Sequence, residues 1–214
     1  METWQKVLIV VGVMVLVLIG LVAFFVTTQN DLVNKDNTCA QMWGNVQTAY
    51  QRRADLIPNL VATVQGAATF EMKTQTEIAD LRSQAGSVKA QVYNAQTVDQ
   101  MQAADTSTAN ILSRLMLIVE AYPDLKSNKN FEDLQGELEG TENRIKYERD
   151  NYNAAVKDYR NEVQMIPTSF VASYFHYDVD KWKTFEATEQ AQTAPTVSFN
   201  FNLNPTAAAT TGST

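Results

Sequence analysis

Arg52, Arg53, Asp55 and Asn59 surround Pro58 in the stretch RRADLIPN. Two guanidinium groups, a carboxylate and an amide so close together can pair with charges on other helices, hold a partner, or satisfy loose backbone groups. The last use matters here, because a proline inside a helix offers no N–H to the carbonyl four residues back, that of Ala54. A second polar group, Glu142, Asn143 and Arg144 in TENRI, lies midway along a later helical stretch. Antiparallel helices would bring the two groups together. The expectation is a cluster in which Arg52 or Arg53 pairs with Glu142 while Asn143 or Asn59 caps the loose backbone. Its role is helix registration or, in the alternative reading, a patch that binds a partner.

Catalytic chemistry finds little material. His176 is the one histidine and sits among Phe and Tyr, away from any carboxylate motif. The one cysteine, Cys39, is too distant in sequence for a Cys/His dyad to be argued, and it cannot form an intrachain disulfide. It reads as a small buried side chain, and the redox compartment stays open. A di-metal helical bundle needs Glu-x-x-His pairs on two helices, which are absent, and no Gly-rich phosphate loop occurs. The acidic run Glu132, Asp133, Glu137, Glu139 and Glu142 reads as a solvated helix face. A divalent-cation patch serving a metal-dependent hydrolase is the least favoured reading. Tyr147, Tyr152 and Tyr159 read as core or interface. The expectation is a protein that is not an enzyme and carries no cofactor or metal.

The elements that must position these groups follow from patterning. Residues 7–26, VLIVVGVMVLVLIGLVAFFV, carry no charge and match the ~20 residues needed to cross a hydrocarbon core. The run is too long for a signal-peptide core and TTQND offers no small-x-small site, so it reads as an uncleaved anchor with Trp4 at the interface. Lys6 and the α-amine on one side balance Lys35 on the other, which leaves the side of the body open. A net charge of −7 and a pI near 4.8 argue against a nucleic-acid binder.

Past the anchor, Val33, Ala40, Trp43, Val46, Tyr50, Ala54, Ile57, Val61 and Val64 form one helical stripe. It keeps phase through Pro58, which predicts one very long helix kinked there instead of a hairpin. The stripe continues weakly through Ile78, Leu81, Ala85, Val88 and Val92, with Gly86 a weak point or end. A second helix is expected over about 97–121, faced by Val98, Met101, Leu112, Leu115 and Val119. A third runs from an N-cap at Asn128 or Asn130 to Pro167. Its near-heptad face is Phe131, Leu134, Leu138, Thr141, Ile145, Tyr152, Ala155, Tyr159, Val163 and Ile166. A short helix over about 168–175 follows. The fold class is all-α: a transmembrane helix (1–28), then an antiparallel helical bundle (29–189).

From Gln190 onward no charge occurs and Thr, Ala and Asn dominate. Within this tail (190–214), Val197, Phe199, Phe201 and Leu203 alternate with polar residues over 196–204, the period of a half-buried strand. The bundle offers it no sheet, so its pairing partner would be another chain, and it marks the segment for assembly between copies.

The stretch RRADLIPNLVATVQG resembles the LemA family of membrane-anchored bacterial proteins through Arg52, Arg53, Asp55, Leu56, Ile57, Pro58, Asn59, Leu60, Val61 and Gly66. A second similar stretch carries Thr-Glu-Asn-Arg-Ile at 141–145, Tyr152, Asn153, Tyr159 and Pro167, and SFVASYFHYD resembles the closing Phe-containing helix. The resemblance spans roughly residues 1–190. Phe70-Glu71 departs from a usual His-Glu and removes the imidazole there. The resemblance implies a short N-terminus, one anchor and an antiparallel helical bundle, with no established reaction. The function expected is a scaffold or adaptor in the bacterial cytoplasmic membrane. Lipid is met through residues 7–26, and the protein partners are further copies or a membrane or envelope protein. A sensory module signalling through the kinked helix is the alternative.

Overall fold

The computed structural model describes residues 3–67, 70–126 and 128–186, which are all-helical with no strand among them. The candidate strand through Val197, Phe199, Phe201 and Leu203, with the whole tail 190–214, lies outside the described residues. Six helices follow in order: α1 (Thr3–Ala67), α2 (Met72–Asn94), α3 (Val98–Ala121), α4 (Pro123–Lys126), α5 (Lys129–Gln164) and α6 (Thr168–Tyr174).

α1 is 65 residues long with Pro58 inside it, a rod of about 100 Å at 1.5 Å per residue. The stripe that kept phase through the proline therefore reflects one helix. Its N-terminal third is long and apolar enough to cross a membrane, with mean hydropathy 3.3 and none of that window buried. From Leu32 onward one face enters the core: Leu32, Cys39, Val46, Tyr50, Ala54, Ile57, Val61 and Val64. The stripe expected from Val33 and Ala40 is off by one position at its start. Both are exposed, and the heptad-spaced Leu32, Cys39 and Val46 take the inner face.

The chain leaves α1 before residue 70, and α2 folds back along it. Arg82 meets Gln65, Lys89 meets Asp55, and Gln47 donates to the carbonyl of Ala95, so numbers rise on one helix as they fall on the other. The weak continuation of the stripe is thus a separate helix. Glu71 takes the N-cap position without a side-chain cap, while the side-chain amide of Gln75 donates to the carbonyl of Phe70. Its inner face is the expected Ile78, Leu81, Ala85, Val88 and Val92, and Gly86 does not end it.

α3 starts at a capping box in which Thr97 accepts from the backbone of Gln100, whose side chain reaches back to the N–H of Thr97. Arg114 meets Asp80 of α2. Asn128 caps α5 by accepting from the N–H groups of Asn130 and Phe131. α5 then runs back along α1, with Asp158 near Lys35 and Glu142 near Arg53. Its buried face is close to the expected one, except that Ile166 lies past the helix end and is exposed, while Glu148 and Val156 are buried.

Candidate functional site: a buried charge junction, a groove and a clasp

Residues 52 and 53 are neighbours on α1 but point to different surroundings, since successive helical residues diverge by about 100°. Arg53 is 5% exposed. Its guanidinium pairs with Asp105 of α3 on one side and Glu142 of α5 on the other. Asp105 also takes Arg149 of α5, and the hydroxyl of Tyr50 completes the group by donating to Asp105 and meeting Arg149. The two guanidinium carbons lie 5.1 and 5.2 Å from the Tyr50 ring centroid. Burial holds Arg149 below the usual arginine range. Three helices thus meet on two cations and two carboxylates.

The carboxylates are unequal. Glu142 is 60% exposed at its side chain, and an ion pair in that setting is worth about 1 kcal/mol or less. Asp105 is more enclosed and serves both arginines. Removing one partner of an enclosed pair strands the other charges in low dielectric, at a cost of several kcal/mol.

The expected partners of this cluster distribute as follows. Arg53, and not Arg52, pairs with Glu142. Asp55 faces α2, where it binds Lys89 at 2.8 Å and accepts from the Tyr93 hydroxyl at 3.1 Å. Hydrogen bonding to Asp55 raises the pKa of both Lys89 and Tyr93. Arg144 turns to Glu148, 2.6 Å away on its own helix. Asn59 and Asn143 are exposed and supply no side-chain cap among the described residues, so the loose-backbone role expected of them is not observed. Asp105, Arg149 and Tyr50 were missed. Tyr50 counted only as core stripe, and Asp105 sits in the Ser/Thr-rich start of α3.

Arg52 instead lines a groove of about 500 Å³ between α1 and α5. Asn45 and Thr48 form its α1 wall with Arg52, and Glu137, Gly140, Arg144 and Glu148 its α5 wall. Glu148 is 2% exposed and held by Arg144, whereas Arg52 has no ion-pair partner among the described residues.

A third feature was not anticipated. After α6 the chain turns at His176, in the left-handed region with φ 59°, and returns along α5. Four α5 side chains at heptad spacing clasp its backbone. The Tyr159 hydroxyl donates to the carbonyl of Asp178 at 2.9 Å, Arg160 to Trp182 at 3.0 Å, and Tyr152 to Lys183 at 2.9 Å. Asn153 both donates to and accepts from the backbone of Phe185, at 3.0 and 2.9 Å. Asp36 of α1 accepts from Lys181 and from the indole of Trp182, at 2.7 and 2.8 Å. The Phe185 ring stacks on Trp43, centroids 6.1 Å apart. Burial pushes the Tyr152 and Tyr159 hydroxyls up to about 12 and the Cys39 thiol up to about 11. The Tyr-Asn and Tyr of the second family-like motif are therefore clasp residues, a role that only their heptad spacing hinted at.

No group of three or more His, Cys, Asp or Glu among the described residues is placed to hold a metal ion. Chemically, the arrangement fixes helices to one another and places Arg52, without an ion-pair partner among the described residues, beside a groove.

Comparison with known proteins matches residues 42–199 to the LemA family. Two relatives are magnetosome proteins of Paramagnetospirillum magneticum, MamQ 1 and MamQ 2. Each is 26% identical over 183 residues, covering 75% of this chain and 67% of its own length. The magnetosome protein MamQ of Magnetospirillum gryphiswaldense is 24% identical over 195 residues, with 78% and 72% covered.

Proposed function

The chain belongs to the LemA family, and from that premise we propose that it is a single-pass anchored helical scaffold or adaptor of the bacterial cytoplasmic membrane, acting through copies of itself or through membrane or envelope proteins. One observation carries this reading: the apolar segment and the first core helix are the same helix, α1. A body built on its own anchor is held at fixed height and orientation, and confinement to a sheet raises its effective concentration toward neighbours. The polar residues of the family-like motifs support the reading, because Arg53, Tyr152, Asn153 and Tyr159 brace helices and backbone and are engaged internally.

The test is the mass of the full-length protein in mild detergent, with and without residues 195–214. The proposal expects an assembly of several copies that shrinks on deletion, or a partner recovered by cross-linking in cells. A monomer that cross-links to nothing contradicts it. The continuity of α1 through Pro58 also favours a second reading, a sensory module in which the helix transmits motion. That reading expects Pro58→Ala to change the cross-linked partners while the assembly mass stays constant.

A further inference from the structure

We propose that α6 and its flanks form a second, non-spanning membrane contact, lying in the bilayer interface beside α1. The inference rests on the reading that residues 7–26 enter a bilayer.

α6 has two faces. Val171 and Ala172 are buried against the body, whereas Phe170 and Tyr174, four apart on another side, are each 69% exposed, and Ile166, just before the helix, is 80% exposed. From Met165 to Phe175 the sequence MIPTSFVASYF contains no charge. An outward apolar stripe on a helix whose other face is already packed is unusual for a surface meeting water, and marks an interaction site.

Position identifies the occupant. The Tyr174 ring stands edge-on to Phe25, centroids 6.1 Å apart, in the last turn of the apolar run of α1. Phe175 closes a crevice of about 420 Å³ with Leu21, Val22, Phe25 and Val26. The register of α5 agrees: Asp158 lies beside Lys35, so Gln164 ends within about a turn of Gln29. Polar contacts begin immediately beyond, where Gln29 donates to the Tyr177 hydroxyl at 3.3 Å. The bare face of α6 is therefore continuous with the lipid-facing surface of α1 and at the same height. Aromatic rings and short apolar helices settle at that level of a bilayer. Lipid, and not a soluble partner, fits an uncharged stripe placed there.

The experiment uses the full-length chain with Cys39→Ser, reconstituted in phosphatidylethanolamine/phosphatidylglycerol vesicles. Nitroxide labels go on Phe170→Cys, on Leu16→Cys as a span reference and on Gln91→Cys as an aqueous reference. Collision with oxygen is compared with collision with a water-soluble nickel chelate. The proposal expects the label at 170 to favour oxygen at least several-fold over the label at 91, at a depth shallower than 16, with the same result for Ile166→Cys. A water-like label at 170 beside a deep label at 16 overturns the proposal and leaves the span standing. Water-like labels at both positions overturn both. Spin–spin broadening at 170 that vanishes on dilution with unlabelled chain shows a second copy covering the face, and also overturns it.

Discussion

Two regions of the body solve opposite problems. Around Arg53, well beyond the apolar run on α1, charges are matched: Asp105 meets both the buried Arg53 and Arg149, and the exposed Glu142 meets Arg53. Around Phe170, next to the run, large apolar side chains are left outside although inner positions exist on the same helix. The contrast fits the proposal of a body that packs by charge matching around Arg53 and rests on lipid around Phe170.

The largest effect should come from breaking the matched end. Asp105→Asn leaves Arg53 with the exposed Glu142 and Arg149 with no carboxylate, only the Tyr50 hydroxyl and the Tyr50 and Phe185 rings, and should cost about 2–4 kcal/mol in denaturant titration. A loss under 0.5 kcal/mol would show that the junction is solvated and the contrast false. Next is the clasp. Asn153→Ala removes two hydrogen bonds to Phe185 and should cost about 1–3 kcal/mol, with faster hydrogen exchange confined to residues near 178–186. Uniformly faster exchange would mean that the segment is not a separate strap.

Alkali should loosen the same region. Tyr152, Tyr159 and Cys39 ionise near 10, 10 and 9 when unfolded and near 12, 12 and 11 in place. Their folded values are raised, so the stability they lend is whole below about pH 9 and is lost as pH climbs through the folded values. Melting temperature should therefore decline from pH 9 to 12, and Tyr152→Phe should make the decline shallower; parallel curves would contradict this. The smallest effect belongs to the lipid end. Phe170→Asn should shift the stability of the body in detergent by no more than about 0.5 kcal/mol, and a larger loss would place Phe170 in the core instead.

The sequence carried the helices well and the polar contacts only partly. Period located α3, and period with Asn128 and Pro167 as punctuation located α5 and α6, almost to their ends, while the Thr97 capping box that starts α3 went unread. The turn between α1 and α2 was invisible, since no proline marks it and the stripe of α2 happens to continue the phase of α1. Near Leu32 the inner face lies one residue, about 100°, from the expected one, because Leu32 and Cys39 keep heptad spacing to Val46 whereas Val33 and Ala40 do not. Arg53 with Glu142 could be read as a pair because both lie in distinctive motifs. Asp105 could not, because its pairing depends on the register of three helices that only the packed structure fixes. Glu148 is a charge inside an otherwise apolar face, which periodicity treats as an outside position.

The central claim is that one unbroken helix joins the bilayer to the charge junction. It is tested most directly by the electron–electron distance between labels at Leu21→Cys and Arg52→Cys in the full-length Cys39→Ser chain, spin-diluted with unlabelled protein in bilayers. A continuous α1 predicts a single narrow distribution near 46 Å, from about 1.5 Å per residue. A broad distribution, or one centred well below 40 Å, would show a hinge between anchor and body and contradict the account.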